Sequence, residues 1–313
     1  MSATKSQRVG SLAALSSALF LGLAPVFGRW AILSGFSPLA VVALRTSLAT
    51  LLLLLVMLVF RRQFFYIFPV GLIGCLLAGS INGFGSLLYY IALGALPATV
   101  GQLLYSLYPI FVAVFSVLDK QSLSRLTLLR ATLALAAVFL LTSANGLRLP
   151  WPAVLMMIAS AALYALHIPI NQRVLYEIPA PTVTFYTLLA MTLVTLPAYL
   201  LFDRVLPAAN APLLPVLLLT LITYASRLTL FLGIKNIGGT QTALLGLAEI
   251  FVTIGISHLL LGERLSAMQW AGVGLLGLTM LLASFEKNTA SRPKGGWLAW
   301  LHPPRIDPWN FQE

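Results

Sequence analysis

Apolar stretches of roughly twenty residues recur along the whole chain, separated by short clusters of Pro, Gly and charged residues. At about 1.5 Å of rise per helical residue, each stretch is long enough to cross a hydrocarbon core of roughly 30 Å. The pattern predicts about ten transmembrane helices, beginning near residues 11, 38, 67, 97, 126, 152, 181, 213, 238 and 267. The fold class expected is therefore an all-α polytopic membrane protein. The leading "MSATKSQRVG" is polar and basic, and the apolar run behind it ends without an A-x-A-like cleavage signal, so residues 1–10 read as a tail before a retained first span.

The spans fall into two related sets. "LLYSLYPIFVAVFSVL" aligns with "ALLGLAEIFVTIGISHLL" at an offset of about 140 residues, pairing Leu104 with Leu244, Leu107 with Leu247, and Ile110-Phe111-Val112 with Ile250-Phe251-Val252. "SALFLGLAPVFGRW" likewise matches "AALYALHIPINQRV", which superposes Pro25 on Pro169 and Arg29 on Arg173. Two five-helix repeats follow, 11–146 and 147–286, with a C-terminal tail at 287–313. Because five is odd, the second repeat enters the membrane from the opposite side, an inverted architecture that places a solute path between the halves near the midplane.

Composition agrees and adds an orientation. The chain is 59% hydrophobic and only 9% charged, with a formal net charge of +11. Placing both termini in the cytoplasm assigns Lys5, Arg8, Arg61, Arg62, Lys120, Arg125, Arg173, Lys235, Lys287, Arg292 and Lys294 to the inside, and only Arg29, Arg148, Arg204 and Arg264 to the outside. The basic excess is thus topological, and no nucleic-acid partner is needed to explain it. The expected location is the plasma (inner) membrane. Trp297, Trp300 and Trp309 suit a headgroup-level tail; a disordered tail is the other reading.

Polar residues inside the spans occur at helical spacing. Asn82, Ser86 and Tyr89 share a face of span three; Tyr164, His167 and Asn171 share one of span six; Thr220, Thr223 and Arg227 share one of span eight; Gln102 and Tyr105 lie three apart in span four. Such stripes face the bundle interior, where they either line a hydrated path or join helices by hydrogen bonds of roughly 0.6 kcal/mol each. His167 is either a proton carrier or ligand, or a satisfied core imidazole.

Three charged residues fall deep in spans, where insertion costs roughly 2.5–3.5 kcal/mol each: Arg45, Arg227 and Glu249. Arg227 precedes Lys235 by eight residues, about 12 Å, and Glu249 follows Gly239 by ten, about 15 Å, so the two lie at similar depth. Glu249 is open to three readings: an ion pair with Arg227, a ligand for a substrate amine, or a carrier that takes up and releases a proton. The acid occupies the place of Pro109 in the other repeat, so the fold's symmetry does not require it. Arg45 either snorkels toward the outer surface or faces inward; in the second case two guanidiniums oppose one carboxylate, which suits an anionic or zwitterionic cargo.

Other chemistry lacks candidates. "GVGLLG", with Gly272, Gly274 and Gly277, matches a dinucleotide fingerprint by letter, but no strand precedes it and the next acid, Glu286, is too close. No hydrolytic constellation and no His/Cys ligand cluster is present, so neither an enzyme nor a cofactor or metal site is expected. Cys75, the single cysteine, reads as a small core hydrophobe.

The segments "YIALGALPATVGQLLYSLYPIFVAVFSVL" and "FLGIKNIGGTQTALLGLAEIFVTIGISHLLLGERLSAMQWAGVGLLGLTMLLAS" together resemble the EamA-type ten-helix transporters of the drug/metabolite transporter superfamily. The second contains the family-like "LGERLS"; the first repeat has "LDKQSLS" there instead. The resemblance implies a secondary active transporter, in the simplest case an exporter, of a small metabolite such as an amino acid or organic anion, working by alternating access. The competing reading is a membrane scaffold or lipid-handling protein without solute transport. Expected partners are a small-molecule substrate, membrane lipid and, as a further option, a second copy of the chain in a homodimer. Candidate substrate-binding or coupling residues are Arg45, Asn82, Ser86, Gln102, Tyr105, Tyr164, His167, Asn171, Thr223, Arg227 and Glu249.

Overall fold

The structure, a computed structural model, describes residues 3–119, 125–143, 150–203, 205, 211–264, 266–283 and 296–301. Every regular element among them is helical. The first half contains α1 (Ala3–Leu33), α2 (Pro38–Phe60), α3 (Pro69–Ala95), α4 (Ala98–Tyr105), α5 (Tyr108–Leu118) and α6 (Arg125–Ser143). The second contains α7 (Trp151–Leu175), α8 (Ala180–Phe202), α9 (Leu214–Ile237), α10 (Gly239–Gly246), α11 (Glu249–Leu261) and α12 (Ala267–Ala283). Short 3-10 turns lie at Arg62–Phe65 and Ala299–Leu301.

Half of the helix starts are set by proline. Pro lacks an N–H that the first turn would leave unpaired anyway, and its fixed φ suits that turn. Proline occupies the first turn of α2, α3, α5, α7, α8 and α9. At α2 the cap is completed by Ser37, whose Oγ accepts from the Ala40 amide at 3.1 Å. α1 begins at Ala3, eight residues before the apolar run, so the polar leader continues the first span. There Ser6 Oγ reaches Asn236 Oδ1 at 2.9 Å on α9, a tertiary contact that periodicity does not register.

Among the described residues, eight spans are long and apolar enough by themselves to cross a membrane: those of α1, α2, α3, α4–α5, α7, α8, α9 and α10–α11. α6 and α12 pack on each other and add the fifth span of each half. The packing is reciprocal. α1, first in its half, lies along α9, third in the other; α7, first in the second half, lies along α3, third in the first; α2 meets its counterpart α8. This exchange is the mark of two inverted five-helix repeats related by a pseudo-twofold axis. Near that axis Thr46 and Thr195 share a hydroxyl hydrogen bond of 2.8 Å, and Thr50 and Thr192 one of 2.9 Å.

Spans four and nine are each broken near their middle, at 106–107 and 247–248, within one residue of each other in the repeat alignment. A break frees carbonyls, which in a membrane must find other donors. At the first break the Leu107 amide turns to Leu104 O (3.3 Å), and the freed Leu103 carbonyl accepts from Ser106 Oγ at 2.6 Å. At the second the Leu247 amide turns to Leu244 O (3.4 Å), and the freed Ala243 carbonyl accepts from Tyr108 Oη at 3.1 Å. Thus each break is repaired, once locally and once from the opposite half.

Candidate functional site

The second break places Glu249 at the first residue of α11, where the exposed amides of a helix N-terminus favour an acid. α1 holds it there. A Cβ on Gly22 would run into the Glu249 carbonyl oxygen and come within 2.7 Å of Val252 Cβ, and Thr253 Oγ1 donates to Gly22 O at 2.7 Å. Glu249 is 1% exposed, and its carboxyl lies beside Gln102 and Tyr108.

Arg45 and Arg227 reach the same region from α2 and α9. Arg45 donates to Thr223 Oγ1 (3.2 Å) and Ser86 Oγ (3.3 Å), and its guanidinium carbon lies 4.7 Å from the Tyr90 ring centre. It therefore faces inward and does not snorkel. With the Asn82 amide turned to present its oxygen, Arg227 Nη1 and Nη2 both donate to it at 3.0 Å; its guanidinium lies 5.6 Å from the Tyr164 ring centre. The Arg227–Glu249 ion pair, one of the three readings of this acid, is not formed: among the described residues, no salt bridge joins either arginine to it. Rise per residue matches the depth of the two groups, but the direction each leaves its helix is set by packing, and Asn82 takes the guanidinium.

These groups surround a cavity of about 40 Å³, lined among others by Arg45, Ser86, Gln102, Tyr105, Tyr164, Arg227 and Glu249. At roughly 10–15 Å³ per water it holds only about three. Tyrosines wall it: Tyr89 and Tyr105 pack edge to face at 5.0 Å and Tyr105 and Tyr164 pack tilted at 5.2 Å, while Tyr108, outside the lining, meets Tyr164 edge to face at 5.0 Å. Five buried polar atoms of the lining residues make no hydrogen bond: Arg45 Nε, Tyr90 Oη, Gln102 Nε2, Tyr164 Oη and Glu249 Oε1. Buried polar groups are normally satisfied, so unpartnered donors and an acceptor around one space make it the candidate ligand position.

Of the other sequence candidates, Asn82 and Thr223 stand behind the cavity, holding Arg227 and Arg45. His167 and Asn171 are fully buried further along α7 and do not line it. The His167 ring stacks 4.7 Å from Tyr164, Nδ1 contacts the Tyr164 carbonyl, and Nε2 has no partner, like both side-chain polar atoms of Asn171. Sequence reading overlooked Ser160, Tyr90 and Tyr108. The first two were within reach: Ser160 precedes Tyr164 by four and Tyr90 follows Ser86 by four, each on an identified stripe. Gly272, Gly274 and Gly277 lie on α12, far from any strand-turn geometry.

The profile of the EamA-like transporter family matches residues 8–143 and again residues 151–285. A solved structure described as "Crystal structure of protein" superposes with a TM-score of 0.71 at 17% identity, covering 89% of this chain and 97% of that one, which establishes the shared fold. No curated protein matches the sequence.

Proposed function

Since the chain belongs to the EamA-like transporter family, we propose that it is a secondary active transporter that exports a small carboxylate-bearing metabolite, an organic acid or a zwitterionic amino acid, across the plasma membrane by alternating access. The observation that carries this reading is the unequal charge around the cavity: two inward guanidiniums and one carboxylate, unpaired with each other, with Arg45 Nε, Gln102 Nε2 and Glu249 Oε1 left without partners. A cargo carboxylate complements the donors, and an ammonium or hydroxyl complements the acceptor. The broken spans place a helix N-terminus at the site, as in transporters whose half-helices meet substrate at the midplane. The Lys/Arg distribution supports cytoplasmic termini.

The experiment is counterflow in liposomes of known orientation, screening organic acids and amino acids. Transport of a carboxylate cargo, lost in Arg227→Gln and Arg45→Gln with folded protein, is the expected result. No flux of any candidate by folded, oriented protein refutes the reading and leaves a scaffold. For Glu249, Glu249→Gln that keeps folding but changes the preference from zwitterions to simple acids assigns it to the cargo ammonium. Loss of pH dependence alone assigns it to proton exchange.

A further inference from the structure

Resting on that reading, we infer that two acids, Glu263 and Asp119, are the latches that close opposite ends of the path. Each lies just past one of the two broken spans, and each ties its own half to the other. Glu263, after α11, reaches the first turn of α4: its carboxylate accepts from the Ala98 amide at 2.9 Å, the Thr99 amide at 2.9 Å and Thr99 Oγ1 at 2.5 Å. Asp119, after α5, accepts from Arg173 of α7 through Nε at 2.9 Å and Nη2 at 2.8 Å.

The two contacts lie at opposite ends. Ala98 and Thr99 follow the end of α3, where Arg29 binds the Leu93 and Gly94 carbonyls; Arg173 adjoins Gln172, which caps the Gly239 amide beside Lys235. Both latches are made in this structure, and the cavity between them has room for about three waters, which is the arrangement of an occluded state. Either end can open only by separating the halves there, and each latch spans that seam. Charge-assisted bonds suit this duty, because both partners regain water when the end opens, whereas a buried apolar seam would resist it.

The Asp119 latch has an additional part. The C-terminal segment 296–301 returns to this end: the Leu298 amide donates to Asp119 Oδ1 at 3.2 Å, and Leu298 and Leu301 are buried against Ala78 of α3 and Ile170 of α7, with Trp297 and Trp300 exposed. An acid at the C-terminal end of α5 is disfavoured by the helix dipole, so Arg173 and this strap hold it. Glu263, at a helix N-terminus, has the dipole in its favour. The strap thus makes closure at the Asp119 end depend on the tail.

The test uses full-length protein with Cys75→Ala and a single probe, Tyr105→Cys, in oriented vesicles, with an impermeant thiol reagent applied from either side. Glu263→Gln should raise labelling at least tenfold from the Glu263 side alone, and Asp119→Asn from the opposite side alone. Should either variant fail to fold, Thr99→Val and Leu298→Pro remove one donor from each latch and carry the same one-sided expectation. Unchanged labelling of folded protein, or a rise from both sides at once, overturns the inference. The readout needs no cargo. A probe that reacts in the folded variants without side bias sinks the latches alone, whereas a probe that never reacts in any folded variant sinks the hydrated path and with it the transport reading.

Discussion

Gly22→Ala and Gly255→Ala make the same chemical change on two helices and should have opposite effects. Both residues are helical, so both substitutions gain about 0.8–1 kcal/mol of helix propensity. At Gly255 nothing lies within 4 Å of the new methyl, and the gain stands alone. At Gly22 the methyl meets Glu249 O, Val252 Cβ at 2.7 Å and Glu249 Cα at 3.0 Å. Two of those atoms are backbone and the third is a branch point, so no rotamer change relieves the overlap and α1 must back away from α11. Overpacking of this kind costs about 1–3 kcal/mol. The propensity gain cancels between the two variants, so their difference isolates the steric cost, about 1.5–5 °C in melting temperature for a chain of this size. Melting in detergent by intrinsic fluorescence reads it, and the same displacement of Glu249 should depress flux in Gly22→Ala only. Equal melting temperatures would refute the claim that α1 seats the acid by direct backbone contact.

Tyr108→Phe removes the donor that repairs the second break, leaving the Ala243 carbonyl unpaired; a loss of about 1–3 kcal/mol is expected in a melting experiment, and no loss would show that the break is satisfied otherwise. The Thr46–Thr195 contact should show a coupling of roughly 0.6 kcal/mol in a double-mutant cycle with valine, the double variant being milder than the sum of the singles. Replacing Arg173 by Gln removes the cation from a buried acid and should cost about 3–5 kcal/mol, partly recovered when Asp119→Asn is added; additivity of the two in denaturation would argue against a direct pair.

The spans were legible because lipid imposes one rule, apolar length, that a single sequence displays directly; the predicted starts at 38, 97 and 267 lie within a residue of the observed helices. The breaks in spans four and nine were not anticipated: Pro109 in "YSLYPI" denies Tyr105 O its helical donor and was a signal within reach, whereas "GLAEIF" contains no residue that forbids a helix. The groups that repair them, a tertiary donor, Tyr108, and a local hydroxyl, Ser106, are not visible in a periodicity. Polar stripes identified which faces turn inward but not how far the cavity extends along them, so His167 and Asn171 share a face with Tyr164 and still lie beyond the lining. The "GERLS" acid was read only as part of a motif. Its partner is 164 residues away at Thr99, a distance that periodicity cannot register.

The exchange of first and third helices between halves has a consequence for biosynthesis. A ribosome releases α1 to α3 well before α7 to α9 exist, so the early helices wait in the bilayer without the surfaces they finally meet. Arg45 waits with them, one of its two hydroxyl partners, Thr223, not yet made. The nascent first half is therefore the stage at which this polypeptide most needs shelter from premature degradation.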